Sequence, residues 1–340
     1  MKNRAIYILW ALALVSLLTA CKKEAQPDDI ITIRNEGGDM PAYIFGNKDS
    51  KTFIVLLHGG PGGSGLEYRF GQFSRELEAD YAMVYWDQRG QGQAHGHYKS
   101  DQLTVDLMVE DLHKLILTLK HQYGEDISVF LMGHSWGGLL GTAYMVTDYQ
   151  KELKGWIEVD GAHDYVKNDP DLVQMFKTIG SDQITRGIQV EEWQPILDFV
   201  NTIDVNNINY DQSVQLNQYG HKAEGFMREV KEPAAENSIN YRVDGLISEL
   251  SGGVTNSTLT KNGLDNISFT NDLHKITTPS LILWGTYDFV VPPSLAVDAM
   301  NLIGTSDKEM VLFDQSGHSP MANEPDKFLQ VTNAFIEKYK

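Results

Sequence analysis

Gly133–His134–Ser135–Trp136–Gly137 sets a serine between glycines, directly after the apolar run Ile127–Ser128–Val129–Phe130–Leu131–Met132. Glycines at this density cost backbone entropy in any regular element, so a tight turn is their natural setting. The pattern is the G-x-S-x-G nucleophile elbow, a strand-to-helix turn that strains the serine and exposes its hydroxyl above a sheet. A Cβ at position 133 or 137 is expected to collide with the neighbouring strand or helix. The helix beginning near Trp136 would aim its first N–H groups at the same point and favour negative charge there.

A serine hydroxyl is a poor nucleophile until a base takes its proton. In one chain order for such a site, the acid and then the histidine follow the serine. His318, in Gly317–His318–Ser319, comes a short loop after the apolar run Glu309–Met310–Val311–Leu312–Phe313 and is the expected base. Asp288 ends Trp284–Gly285–Thr286–Tyr287–Asp288, after the run Ser280–Leu281–Ile282–Leu283–Trp284, and is the expected acid. Asp160, at the end of Gly155–Trp156–Ile157–Glu158–Val159, is the rival. Glycine at 285 and the strand–loop–helix setting favour Asp288. The other candidates His58, His95, His97, His134 and His163 read as loop or structural residues, because none follows the last strand. An oxyanion needs N–H donors aimed at it. Trp136 offers one, and Gly60, in His58–Gly59–Gly60–Pro61–Gly62–Gly63, is expected to offer the second, with His58 bracing the loop.

The elements that would position these groups alternate. Short apolar runs at 53–57, 81–86, 127–132, 155–159, 280–284 and 309–313 read as buried strands. Helical spacing appears at 66–79, 103–121, 136–149 and 325–339. Strands alternating with helices predict a mostly parallel, doubly wound α/β sheet. Between about 161 and 270 the alternation stops and the chain turns polar, with helical patches at 171–179 and 193–203. The recurring Trp, Phe, Tyr and Leu there predict a packed helical cap over the strand ends. The expected division is therefore core at 31–160, cap at 161–270 and core again at 271–340.

Composition narrows the class. The 340 residues suffice for one large domain with an insertion. A formal net charge of −18 argues against nucleic-acid binding, which needs clustered Lys and Arg, and suits solubility or a cationic ligand. At the N-terminus, Lys2 and Arg4 precede an apolar run from Ala5 to Ala20 that is short for a membrane span. It ends Leu18–Thr19–Ala20–Cys21, which resembles a bacterial lipobox, and Cys21 is the sole cysteine, so no intramolecular disulfide is available. The expectation is a signal peptide at 1–20, a lipidated Cys21, a polar tether over 21–30, and a cell-envelope protein held on a membrane by its lipid.

Four motifs, HGGPGG at 58–63, DQRGQG at 87–92, GHSWGG at 133–138 and GHSPMANEP at 317–325, together resemble the α/β-hydrolase superfamily. HGGPG with DQRG is similar to the proline iminopeptidase branch, serine peptidases that release an N-terminal residue. The likeness covers about 40–160 and 275–339. It implies an α/β-hydrolase fold, a small-molecule or short-peptide substrate, and a cap carboxylate for the substrate's ammonium. Glu191, Glu192, Glu224, Glu229, Glu232 and Glu236 are available, with no sequence feature to choose among them. Asp87 and Arg89 are expected to brace loops. A serine at 135 departs from the aspartate nucleophile of dehalogenases and epoxide hydrolases of this fold. With no H-E-x-x-H and no G-x-G-x-x-G after a strand, neither metal nor cofactor is expected. The alternatives to an aminopeptidase are a hydrolase of small carboxylic esters and a non-catalytic binding module on the same scaffold.

Overall fold

A computed structural model describes residues 26–227 and 245–340. The expected signal peptide, Cys21, Glu229, Glu232 and Glu236 lie outside them. The strands are β1 (Asp29–Asn35), β2 (Gly38–Gly46), β3 (Thr52–Leu57), β4 (Ala82–Trp86), β5 (His95–Gly96), β6 (Ser128–His134), β7 (Gly155–Val159), β8 (Ser280–Gly285) and β9 (Lys308–Phe313). They form one sheet in the order β1-β2-β4-β3-β6-β7-β8-β9, with β5 against β2. From β4 to β9 every pairing is parallel, whereas β1 and β2 join antiparallel.

The central strands are apolar on both faces because both faces are covered. In β3, Phe53, Val55 and Leu57 enter one core while Ile54 and Leu56 enter the other. In β6 the same split places Val129 and Leu131 opposite Phe130 and Met132. This period of two follows from successive side chains leaving a strand on opposite sides. Helices α1 (Gly71–Asp80), α2 (Val105–Tyr123) and α3 (Trp136–Met145) lie between the early strands. Leu112, Leu115, Ile116 and Leu119 of α2 and Leu139 and Leu140 of α3 fill the first core, and Phe73 and Leu77 of α1 fill the second.

Between β7 and β8 the chain runs through α4 (Tyr165–Thr185), α5 (Val190–Val200), α6 (Tyr210–Met227) and α7 (Gly245–Lys261). α4, α5 and α6 share a separate core of Leu172, Phe176, Trp193, Ile196, Val200 and Leu216. That core extends to Phe289, whose ring stacks on Phe176 at 5.2 Å between centroids. The cap thus packs directly on the loop after β8. α8 (Ser294–Leu302), α9 (Pro320–Asn323) and α10 (Pro325–Tyr339) complete the fold, with Phe328, Leu329 and Ile336 of α10 in the second core.

One sequence expectation is corrected. Asp29 and Ile30, assigned to the tether, already belong to β1, pairing with Ile44 and Tyr43. The strand alternates exposed and buried residues, with Ile31 and Ile33 inward. It is turned back into β2 by Glu36 and Gly37, at φ 40° and 78°, as a two-residue hairpin of this hand requires. A half-buried alternating strand beside a polar leader carries no continuous apolar run to betray it.

Candidate active site

Ser135 sits between β6 and α3 at φ 56° and ψ −121°, a region that costs a non-glycine residue backbone strain. The turn is sharp enough that a Cβ on Gly137 would come within 2.0 Å of the Leu57 carbonyl oxygen. Ser135 makes no side-chain cap for α3, so its hydroxyl does not occupy the helix N-terminus. It lines a cavity of about 950 Å³ together with Gly60, Pro61, Ala162, Tyr165 and Val290.

Asp288 and His318 pair with each other. His318 Nδ1 donates to Asp288 Oδ2 at 2.9 Å, and Asp288 Oδ1 accepts from the backbone N–H groups of Val290 and Val291, each at 2.8 Å. Asp288 is completely buried and His318 nearly so. Burial alone would lower the imidazole's pKa, but the Asp288 charge, its hydrogen bond and the charge of Glu224 together raise it above 6.5. The rival Asp160 is not remote from this pair. It is fully buried at φ 45°, with Oδ1 accepting from Gly285 N at 2.9 Å. Burial, then the Asp288 charge, push its pKa well up.

The loop after β3 approaches Ser135 from the other side. Gly60 takes φ 130°, and a Cβ there would meet Gly62 N at 2.5 Å. The residues after β4 tie this loop down. Gln91 Oε1 accepts from Gly62 N at 2.5 Å, and Gln88 Nε2 donates to the His58 carbonyl at 3.1 Å. Gln88 Oε1 also accepts from the Trp136 indole N–H at 2.7 Å, linking the loop to α3. His58 Nδ1 lies 2.8 Å from the Gly59 carbonyl, and burial lowers its pKa to about 4. It is a neutral brace.

Residues 52–325 match the α/β hydrolase fold family. The chain belongs to that family. A proline iminopeptidase of Saccharolobus solfataricus is 27% identical over 291 residues, 86% of each chain. Two solved structures share the fold. A proline iminopeptidase of Mycobacterium smegmatis has a TM-score of 0.63 at 15% identity, covering 92% of this chain and 98% of that one. The esterase RhEst1 of Rhodococcus sp. ECU1013 has a TM-score of 0.58 at 19% identity, covering 92% and 99%. The chain is an α/β hydrolase of proline iminopeptidase-like sequence, consistent with a serine hydrolase.

Other parts of this α/β hydrolase support the loops, as expected of Asp87 and Arg89. Asp87 accepts from Ser64 Oγ, Gly65 N and Gln93 N at 2.7–2.8 Å, and burial raises its pKa to about 6. Arg89 forms two 2.7 Å bonds to Asp111 with both side chains at zero exposure. Among the described residues, His134, Asp160 and His318 bring potential metal-ligand atoms within 4.8 Å. His134 has no nitrogen to spare, since Nδ1 faces Tyr68 Oη at 2.5 Å and Nε2 faces the His318 carbonyl at 2.6 Å. His163 Nδ1 faces Glu158 at 2.6 Å while its buried Nε2 finds no hydrogen-bond partner among the described residues, and His95 and His97 are exposed.

The cap contributes one buried carboxylate among those the sequence proposed and the structure describes. Glu191 is exposed, and Glu192 is partly exposed and pairs with Lys222 at 2.7 Å. Glu224, on α6, is buried, and its Oε1 accepts from Phe289 N at 3.1 Å and His318 N at 3.2 Å. Burial and then the Asp288 charge raise its pKa to about 7, against the lowering effect of His318 and the two N–H groups. Sequence gave no way to single it out, because burial depends on where α6 lands. Gln88, Gln91 and Tyr68 were missed for a different reason: none belongs to a residue class that by itself signals chemistry.

Proposed function

We propose that this hydrolase is a serine aminopeptidase that releases an N-terminal residue. Ser135 Oγ attacks the carbonyl while His318 Nε2 takes its proton, and Asp288 fixes His318 in the tautomer that leaves Nε2 free. The N–H groups of Gly60 and Trp136 hold the oxyanion of the tetrahedral intermediate. His318 then returns the proton to the leaving amine, and water hydrolyses the acyl-enzyme by the same path in reverse. The observation that carries the peptidase reading is Glu224, a carboxylate brought by the cap to the two loops that bear Asp288 and His318. A substrate ammonium beside it would favour its ionised form in a low-dielectric setting. The proline iminopeptidase relative points the same way.

The deciding measurement is kcat/KM for a prolyl or alanyl anilide with a free amine and for its N-acetylated form. Acetylation removes the ammonium charge that this carboxylate would meet, so the acetylated anilide should be turned over much more slowly. Equal values, or a preference for the acetylated form, would favour hydrolysis of small carboxylic esters. The lipobox-like stretch supports, as a separate part of the proposal, a lipid on Cys21 that holds the enzyme on a membrane. No helix among the described residues is long and apolar enough to cross one. Cys21→Ser should then abolish membrane recovery, and processed mutant protein in the membrane fraction would contradict the anchor.

A further inference from the structure

Tyr68 stands where three distant segments converge. Its hydroxyl accepts from the backbone N–H of Gly59 at 2.8 Å and lies 2.5 Å from His134 Nδ1. His134 Nε2 lies 2.6 Å from the carbonyl oxygen of His318. A carbonyl only accepts, so the His134 proton sits on Nε2 and Nδ1 is left as an acceptor. Burial, and then the neighbouring His318, lower the pKa of His134 to about 3, which keeps the ring neutral. The hydroxyl of Tyr68 must therefore donate to Nδ1. Every donor in this string has one acceptor, from Gly59 N–H through Tyr68 and His134 to the His318 carbonyl.

The string joins points that matter for one reaction. Gly59 precedes Gly60, His134 precedes Ser135, and the carbonyl belongs to His318 itself. The packing is close, since a Cβ on Gly59 would lie 2.6 Å from Tyr68 Oη and 3.3 Å from Ser135 Cβ. The His134 and His318 rings lie 4.7 Å apart between centroids. An oxyanion donor and a general base must both be placed to within a few tenths of an ångström of the serine.

We propose that Tyr68 and His134 are positioning residues that set the spacing of the oxyanion loop, the Ser135 elbow and the His318 loop through this string of hydrogen bonds. The inference rests on Ser135 as nucleophile and His318 as base. Tyr68 and His134 bond to each other and to the backbone of Gly59 and His318, so their removal should act on the rate of the chemical step and leave ligand binding alone.

A fluorophosphonate probe reads that step without knowledge of the natural substrate. Tyr68→Phe deletes one oxygen and should lower the maximal labelling rate by about 10- to 100-fold, with the half-saturating probe concentration unchanged. His134→Gln keeps a donor for the His318 carbonyl and an acceptor for Tyr68, and should stay within roughly threefold of wild type. His134→Leu should fall as Tyr68→Phe does, and the double variant Tyr68→Phe/His134→Leu should be no slower than the worse single one. Wild-type labelling in Tyr68→Phe, multiplying losses in the double variant, or His134→Gln as slow as His134→Leu would each overturn the proposal. Should His134→Leu fail to fold, Tyr68→Phe combined with His134→Gln carries the same comparison, with Tyr68→Phe alone as its expected rate. A Ser135→Ala protein that still labels would instead sink the nucleophile assignment, while the ratios of the Tyr68 and His134 variants to wild type remain readable.

Discussion

The sheet and the cap solve different problems with different materials. In the sheet, β3, β4, β7 and β8 are buried along their whole length and β6 from Val129 onward, and their ends carry Ser135, Asp160 and the loop to Asp288. In the cap, a smaller core of Phe176, Trp193 and their neighbours sits beneath a rim of Val166, Val205, Tyr210 and Val214 that is exposed around the cavity mouth. The sheet therefore holds strained geometry that a less constrained support would relax, namely φ 56° at Ser135 and φ 45° at Asp160. The cap holds no such strain among the site residues. It adds Glu224, a carboxyl group inserted between two sheet loops. The contrast implies that the sheet sets the chemistry and the cap sets what is admitted to it.

Variants can break that division, and the largest effect belongs at the elbow. Ser135→Ala should lower kcat by about 10⁶ with thermal stability intact. Turnover near the wild-type rate would end the mechanism. Asp288→Asn should cost on the order of 10⁴ in kcat by favouring the wrong His318 tautomer. Asp160→Asn should be mild by comparison, because the amide oxygen can still accept from Gly285 N. A crippling Asp160→Asn with a mild Asp288→Asn would move the acid one strand earlier.

Stability separates the regions next. Asp111→Ala leaves Arg89 buried without its partner and should cost about 3–5 kcal/mol in urea unfolding, whereas the cap's exposed Glu192–Lys222 pair should contribute about 0–1 kcal/mol. The smallest expected effect is a shift in pH dependence. His318 must be neutral to accept the Ser135 proton, so kcat/KM should rise with pH through a value above 6.5. The charge of Glu224 helps to raise that value, so Glu224→Gln should move the acid limb to lower pH. It should also raise KM for free-amine substrates more than for esters. An unmoved limb with an unchanged KM would return Glu224 to a purely structural role.

Ser135, Asp288 and His318 were legible as candidates because each combines a reactive side chain with local cues, glycines and the end of an apolar run, that a linear reading captures. The parallel core was legible for a similar reason: strands buried on both faces are continuous apolar runs, and 53–57 became Thr52–Leu57 while 155–159 became Gly155–Val159. β1 escaped because only every second residue is inward. Tyr68, Gln88 and Gln91 escaped because their importance is a matter of distance, not type. The sequence by itself determined the elbow, the order of the reactive residues and the alternation of strand and helix, all of which depend on neighbours along the chain. Only the tertiary structure decided that Glu224 is buried against Phe289 and His318, that Asp160 is buried beside Asp288, and that Tyr68 reaches His134. Burial and charge coupling act across space, between residues 65, 128 and 66 positions apart, where no local pattern records them.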